Sequence, residues 1–336
     1  MNKLSDIGLP SQRLLFILWL LLVACPKSPS SSLNHVPTVT VSTFVGSTEG
    51  FADGKGSAAQ FHLPCAVALD SKGNFYVAEF WSGRIRKVTP EGEVSTLVED
   101  NESDLPEHQF GIATDTEDNL YVVYRDRIGK FTPTGKESTP AWGTHAQIGM
   151  PKGITLDAKG NLYATDIKNH RIYKLTPKGE VSTLAGSTQG FADGRGSAAQ
   201  FHSPCGIALD AKGNLYVTDR DNHRIRKLTP EGEVSTLAGS TKGFADGKGN
   251  AAQFEGPCGM ASDAQGNLYL VDDYRRIRKV TPEGEVSTLA GSTQGFADGP
   301  GSAALFDLVS QLTLDAKGNL YVADMGNSRI RKITLE

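Results

Sequence analysis

Three short motifs pair a histidine or a glutamate with a cysteine three residues further along the chain. They are His62-x-x-Cys65, His202-x-x-Cys205 and Glu255-x-x-Cys258. Imidazole, thiolate and carboxylate groups are the ligands that proteins use for zinc, and carboxylates also bind calcium. If the three motifs lie close together in the fold, they predict a zinc or calcium site that could serve a lyase or a hydrolase.

Two other interpretations of the cysteines stay open. Cysteine is a small apolar residue that often packs inside a protein, so the thiols could be structural. Alternatively, Cys205 and Cys258 could form a disulfide, provided that their Cα atoms lie within about 7 Å of each other.

A second group of residues favours a binding surface. Tryptophan, tyrosine and arginine are preferred anchors in protein interfaces, and aromatic faces also suit apolar or sugar-like ligands. The alternative is that these side chains only fill gaps in degenerate repeats. The residues that we expect to contact a ligand or partner are Phe80, Trp81, Tyr124, Arg125, Trp142 and His145.

One sequence unit, repeated six times, accounts for residues 39–336. A complete copy, residues 205–239, reads CGIALDAKGNLYVTDRDNHRIRKLTPEGEVSTLAG, which divides into four short strands at Gly, Pro and Asn turns. Four antiparallel strands in a repeat of about 40–50 residues are typical of a β-propeller. An asparagine marks the same place in each copy, at intervals of 45, 42, 53, 53 and 52 residues: Asn74, Asn119, Asn161, Asn214, Asn267 and Asn319.

The two ends of the repeat region complement each other. The sixth unit stops without its fourth strand, and a spare copy of that strand, residues 41–46, precedes the first unit. Pairing the two ends would close the ring and remove two open sheet edges. The sequence therefore predicts an all-β fold, a six-bladed β-propeller with four-stranded antiparallel blades, whose N-terminal strand completes the last blade.

The pattern D-x-x-N-H-R-I at Asp166–Ile172 and Asp219–Ile225 resembles the NHL repeat. That resemblance implies a propeller over residues 39–336. NHL propellers include binding platforms for proteins or RNA and a few enzymes, such as the peptidyl-hydroxyglycine amidating lyase, so the resemblance leaves the function open. The metal-binding histidines of that lyase have no matching positions in this chain.

The first residues resemble a bacterial lipoprotein signal. Lys3 and Arg13 precede an apolar run from Leu14 to Ala24, which is too short to span a bilayer, and Cys25 follows directly. We expect a signal peptide at residues 1–24, lipidation of Cys25, and a Ser/Pro-rich spacer that ends at residue 38. The chain would then be lipid-anchored to a membrane of the bacterial cell envelope, either periplasmic or surface-exposed. A plain secretory signal with an incidental cysteine is the alternative.

Composition narrows the function further. The chain has 34 basic and 38 acidic residues and a formal net charge of −4, so an electrostatic nucleic-acid binder is disfavoured. The repeated Arg-Ile-Arg-Lys segments are expected to form a solvated outer face. We therefore expect a monomeric, non-enzymatic scaffold without a cofactor, which binds a protein or a small or carbohydrate ligand. A metal-dependent lyase or hydrolase is the alternative.

Overall fold

Six antiparallel sheets follow one another along the chain in a computed structural model that describes residues 38–99, 109–125, 127–143 and 148–336. Residues 37–336 form one compact unit. Each sheet is one blade of a six-bladed propeller, which confirms the predicted fold class. No helix among the described residues is both long and apolar enough to span a membrane.

The strands are short, and the strands of each blade lie in chain order in the sheet, except for the N-terminal strand and for a two-residue strand that opens four of the blades and lies at their outer edge. β1 is Val39–Gly46. Blade one contains β2 (Gly54–Lys55), β3 (Pro64–Leu69), β4 (Phe75–Glu79), β5 (Ile85–Val88) and β6 (Glu93–Val98). Blade two contains β7 (Gln109–Thr114), β8 (Leu120–Tyr124), β9 (Ile128–Phe131) and β10 (Glu137–Ser138). Blade three contains β11 (Pro151–Leu156), β12 (Leu162–Asp166), β13 (Arg171–Leu175) and β14 (Val181–Gly186).

The second half of the ring follows the same plan. Blade four contains β15 (Gly194–Arg195), β16 (Pro204–Leu209), β17 (Leu215–Asp219), β18 (Arg224–Leu228) and β19 (Glu233–Gly239). Blade five contains β20 (Gly247–Lys248), β21 (Met260–Ser262), β22 (Leu268–Asp272), β23 (Arg276–Val280) and β24 (Glu285–Ala290). Blade six contains β25 (Gly299–Pro300), β26 (Val309–Leu314), β27 (Leu320–Asp324) and β28 (Arg329–Leu335). Short 3₁₀ turns occupy Gly56–Ala58, Gly196–Ala198, Arg220–Asn222, Gly249–Ala251 and Met325–Asn327.

The N-terminal strand closes the ring. β1 pairs antiparallel with β28 from Val39 opposite Leu335 to Gly46 opposite Arg329, with a bulge between Thr43 and Val45. Blade six is therefore built from both ends of the repeat region, as the sequence predicts. This pairing covers the edge of β28 that would otherwise be open.

The innermost strands of the six blades line a central channel of about 210 Å³, and none of its described lining residues is charged. Glycine allows the inner strands of blades three and four to approach their neighbours closely. A Cβ atom on Gly206 would lie 2.3 Å from the carbonyl oxygen of Cys258 in the next blade, and one on Gly153 would lie 2.4 Å from that of Cys205. Glycine at these two positions is therefore a packing requirement.

Four blades differ from the predicted four strands because a fifth, two-residue strand lies on their outer edge. These outer strands, β2, β15, β20 and β25, belong to the long inserts that enter blades one, four, five and six. A buried arginine in the third full-length strand holds each insert. In blade four, Arg226 contacts Asp219 at 2.7 Å and Asp193 at 2.6 Å, and also donates to the carbonyls of Gln200 and Ala192.

The expectation of a solvated basic stripe was wrong for these arginines. All four are completely buried, because each neutralises a buried carboxylate at the end of the preceding strand and donates to backbone carbonyls of the insert. Blades two and three lack both the long insert and the arginine, and have Gly129 and Tyr173 in its place. The four arginines are Arg86, Arg226, Arg278 and Arg331.

The Asn-His pair of the repeat has a structural role. The carboxylate of Asp219 accepts hydrogen bonds from the Asn222 side chain and the His202 backbone. His223 adopts a positive φ of 57°, which ends the loop, and its Nδ1 accepts a hydrogen bond from Gly256 of the next blade. The motif therefore fixes one loop and joins adjacent blades.

The predicted signal peptide, Cys25 and all but the last residue of the spacer lie outside the described residues. Their assignment stays a prediction.

Candidate functional site

One ring of residues distinguishes the blades at one mouth of the channel. In five blades this position follows the residue that pairs with the end of the second full-length strand, such as Pro151 opposite Asp166 and Pro204 opposite Asp219. In blade five the sequence repeat places Cys258 at the same position. The position is thus equivalent in the repeats, yet its side chain changes from blade to blade. The six residues, which we call the mouth ring, are Cys65, Phe110, Lys152, Cys205, Cys258 and Ser310.

A cavity of about 70 Å³ opens at the mouth ring. Its described lining contains two basic side chains, Lys152 and Arg220, and no carboxylate or imidazole. Tyr274 and Gln311 add a hydroxyl and an amide. The cavity is therefore positively charged and partly apolar, which is a typical composition for a small-ligand site.

Lys152 is the one charged member of the mouth ring. Its side chain is half-buried, and Nζ lies 4.0 Å from the centroid of the Phe110 ring, which is a cation–π contact. Within the described part of the chain, no carboxylate lies within 4.0 Å of the ammonium group. Burial lowers the pKa of Lys152 to about 8; Cys65 opposes this shift and the Arg220 cation adds to it.

Because Lys152 has no described counter-ion, we predict that its charge lowers the free energy of unfolding. Its folded pKa of about 8 lies below its ordinary value of 10.5, so the unfolded chain binds the proton more tightly. The cost is fully present below pH 8 and disappears as the pH rises towards 10.5. We expect Lys152→Met to stabilise the protein by about 2 kcal/mol at pH 7, after discounting for partial exposure.

Urea denaturation at pH 7 and pH 10 checks this expectation. Lys159→Met, which removes an exposed lysine at the other end of the same blade, is the matched control and should change stability by less than about 0.5 kcal/mol. If Lys152→Met is less stable than the wild type at pH 7, the buried ammonium group makes favourable interactions that offset the cost of its burial, and the expectation is wrong.

The loops on this face position the other polar groups. The guanidinium of Arg220 is oriented by Asp221, with Nε 2.9 Å from Oδ1. Asp273 and Tyr274 have φ values of 54° and 53°, in a loop one residue shorter than its counterpart in blade four. Two successive non-glycine residues in this region carry strain, and such strain often occurs at functional sites.

Gln311 presents a buried Oε1 that has no hydrogen-bond partner in the described structure. A buried acceptor without a donor costs about 1–3 kcal/mol. Because Gln311 also lines the cavity, a ligand that carries a hydroxyl or an N–H group would supply the missing donor.

Cys205 and Cys258 form a disulfide, with their Cα atoms 5.2 Å apart. It joins the inner strands of blades four and five in the wall of the cavity and leaves neither sulfur available as a thiolate. Cys65 is a buried thiol outside the disulfide, and burial raises its pKa to about 12, so it is neutral at physiological pH.

The structure does not bring the six predicted metal ligands into one site. His62, His202 and Glu255 point into the surrounding loops. Among the residues that the structure describes, no three His, Cys, Asp or Glu side chains are arranged to hold a metal ion. Each of these three side chains instead contacts a polar group of a neighbouring loop at 2.9 Å. The pairs are His62 Nε2 with Glu49 Oε1, His202 Nε2 with Gln189 Nε2, and Glu255 Oε1 with Lys242 Nζ.

Two of the predicted contact residues extend the mouth. Phe80 packs against Trp81 and Phe110, with ring centroids 5.1 and 5.5 Å away. Trp81 is 48% exposed. Phe110, Phe80 and Trp81 therefore form a continuous aromatic ledge from the cavity to the surface.

The other predicted contact residues lie elsewhere. Tyr124 is completely buried, which corrects the expectation that it is exposed. Its ring lies over Gly129, where an added Cβ would be only 2.8 Å from it, so the tyrosine fills space that the missing side chain leaves. Trp142 is half-buried and packs near Tyr121, with ring centroids 6.1 Å apart. Arg125 is exposed, and His145 lies outside the described residues.

Sequence reasoning missed Lys152, Tyr274 and Gln311. The signal was available for Lys152, because an alignment of the six repeats places it where the other copies have Cys, Phe or Ser. Tyr274 was marked by the one-residue deletion in its loop. The orientation of Gln311 could not be read from any pattern.

Two curated relatives share this repeat architecture. Homo sapiens teneurin-4 is 28% identical over 85% of this chain but over only 12% of its own length. NHL repeat-containing protein 2 of Gallus gallus is 28% identical over 88% of this chain and 42% of its own. The chain thus spans a minor part of the relatives it matches.

Solved structures share the fold. An auxiliary nutrient binding protein from Bacteroides thetaiotaomicron superposes with a TM-score of 0.73 at 19% identity, over 89% of this chain and 77% of that one. A streptogramin B lyase gives 0.60 at 16% identity, over 89% and 98%. The sequence profile of one family matches residues 58–336. With its six-bladed architecture and NHL-type repeats, the chain belongs to the virginiamycin B lyase family.

Proposed function

We propose that this propeller is a non-enzymatic binding protein whose ligand is a small molecule held at the channel mouth. The observation that carries the proposal is the cavity at the mouth ring. The cavity is lined by Lys152, whose ammonium group has no described counter-ion, and by Gln311, whose buried amide oxygen has no described donor, and the described lining has no carboxylate or imidazole. These features suit the recognition of an anionic ligand.

The aromatic ledge supports the same proposal. Trp81 is half-exposed and continues the apolar wall of the cavity to the surface, where a sugar or aromatic ring could stack. The structural similarity to an auxiliary nutrient binding protein agrees with this reading. The proposal includes anchoring through a lipidated Cys25 at the bacterial envelope, where such a protein would meet ligands from outside the cell.

A lyase is the second candidate, because the family profile and a lyase structure both match this chain. Its catalytic groups would have to come from outside the set predicted from the sequence, since Cys205 and Cys258 are joined and His62 and His202 have loop partners. The channel interior offers no charged residue either.

The two candidates differ in what happens to the ligand. The protein is incubated with virginiamycin B, with and without added divalent cations, and the mixture is separated by reversed-phase chromatography. In parallel, neutral sugars and organic acids are titrated into the protein in a calorimeter. We expect binding from the second panel without conversion of virginiamycin B. Time-dependent conversion, proportional to protein concentration, would establish the lyase instead.

A further inference from the structure

We propose that the channel mouth binds the carboxylate of a small, ring-bearing hydroxy acid, with Lys152 as its counter-ion and the aromatic ledge as the platform for its ring. This inference deepens the proposed function and rests on it. It assigns a chemical class to the ligand, which neither the fold nor the family similarity specifies.

The charge of the ligand follows from the lining. Lys152 and Arg220 are the cations among the described lining residues, and none of those residues carries a negative charge. Asp221 already neutralises Arg220, with an Nε–Oδ1 distance of 2.9 Å, whereas Lys152 has a cation–π contact with Phe110 and no described carboxylate within 4.0 Å. A half-buried ammonium group without a partner attracts an anion that brings its own charge into the cavity.

The hydroxyl follows from Gln311. Gln311 lines the same cavity as Lys152, and its Oε1 is buried with no described partner. A carboxylate offers acceptors only, so it cannot satisfy this oxygen. A hydroxyl next to the carboxylate would donate to Gln311 while the carboxylate accepts from Lys152.

The ring follows from the ledge and from the size of the cavity. About 70 Å³ holds the head of a small acid but not a whole ring. The remainder must lie along Phe110, Phe80 and Trp81, whose successive rings are 5.5 and 5.1 Å apart. Apolar faces of sugar or aromatic rings pack well on such a surface.

Mandelate is the probe, because it combines a carboxylate, an adjacent hydroxyl and a ring. Mandelamide is its neutral counterpart of the same shape, and inorganic phosphate tests whether any oxyanion suffices. Dissociation constants are measured by ligand-observed NMR titration at pH 7 on the wild type, Lys152→Met and Lys159→Met. Thermal melting shows that each variant is folded.

We expect mandelate to bind in the millimolar range and at least about tenfold more tightly than mandelamide. Lys152→Met should abolish this preference, and Lys159→Met, at an exposed site in the same blade, should keep it. Raising the pH above about 8 should weaken mandelate binding, because Lys152 loses its proton there. Two other groups at the mouth do not titrate near pH 8. Burial raises the pKa of the Cys65 thiol to about 12, and the pKa of the Arg220 guanidinium is raised because Asp221 outweighs the lowering effect of burial. Lys152→Met removes only the ammonium group, so a pH dependence that persists in this variant would come from another group.

Equal affinity for mandelate and mandelamide, or retained selectivity in Lys152→Met, would overturn the inference. The inference would also be overturned if phosphate bound as tightly as mandelate and displaced it, since the site would then bind anions in general. If mandelate fails to bind while a neutral sugar does, the binding function stands and this inference falls. If nothing in either panel binds, both fall.

Discussion

A chain that begins at residue 47 is expected not to fold as a stable monomer, whereas one that begins at residue 39 should fold normally. The two differ only by β1, which supplies an entire strand of blade six through its pairing with β28. Val41 and Val45 of β1 are 1% and 0% exposed, and burying each contributes about 2 kcal/mol. With the strand pairing added, the loss approaches the whole stability of an ordinary domain, about 5–15 kcal/mol.

The shorter chain should also associate, because its β28 would present an unpaired edge to other molecules. Size-exclusion chromatography and thermal melting of both chains check the expectation. A synthetic peptide covering residues 38–48, added during refolding, should restore a cooperative melt if the missing strand is the cause. A monomeric residue 47–336 chain that melts at the temperature of the longer one would refute the closure argument.

Replacement of Arg226 by methionine is expected to cost about 3–5 kcal/mol, although the residue lines neither the mouth cavity nor the central channel. Arg226 and Asp219 are both completely buried, and their charged atoms lie 2.7 Å apart. Without the guanidinium, Asp219 is left as a buried carboxylate, and two backbone carbonyls of the insert, from Gln200 and Ala192, lose their donor. The insert that carries Asp193 should loosen as well.

The pH dependence of this loss has a definite sign. Burial raises the pKa of Asp219 even in the intact protein, against the opposing effects of Asn222, the His202 backbone and Arg226. Removing Arg226 raises it further, so the folded variant takes up a proton that the unfolded chain does not hold. The deficit should therefore shrink as the pH falls from 7 to 5 and be largest at neutral pH.

Urea denaturation at both pH values measures the effect. Arg195→Met in the same blade is the control, because Arg195 is exposed, and it should cost less than about 0.5 kcal/mol. The double variant Asp219→Asn/Arg226→Met should recover part of the loss, since it removes the unpaired charge as well. Equal deficits for Arg226→Met at pH 5 and pH 7 would show that the cost lies in packing and not in charge.

Both predictions test the closed ring of blades, which holds the residues of the channel mouth in place. Lys152 and the disulfide stand at the starts of inner strands, and those strands hold their positions only while the ring is closed. The Lys152→Met variant should behave in the opposite way to Arg226→Met: it should gain stability and lose ligand. A residue that weakens the fold but serves binding is a common sign of function.

The fold of this protein can be predicted from its sequence, because it depends on a local pattern that is repeated six times. Strand alternation and the glycine and proline turns are visible within one repeat, and closure follows from the displaced strand at residues 41–46, which matches the strand that the sixth repeat lacks. The burial and the contacts of individual residues could not be predicted in the same way. Arg226 is buried and Arg195 is exposed, but the sequence alone gives no reason to distinguish the two arginines.

The contacts between side chains of neighbouring blades are visible only in the folded chain. The pairing of Cys205 with Cys258 depends on a Cα separation of 5.2 Å between residues 53 positions apart. Tyr124 turned inwards because Gly129 leaves room beneath it, and Lys152 came to lie over Phe110 because two inner strands converge on one mouth. Burial and the lack of a counter-ion are properties of that three-dimensional neighbourhood, so no local pattern could reveal the site they create.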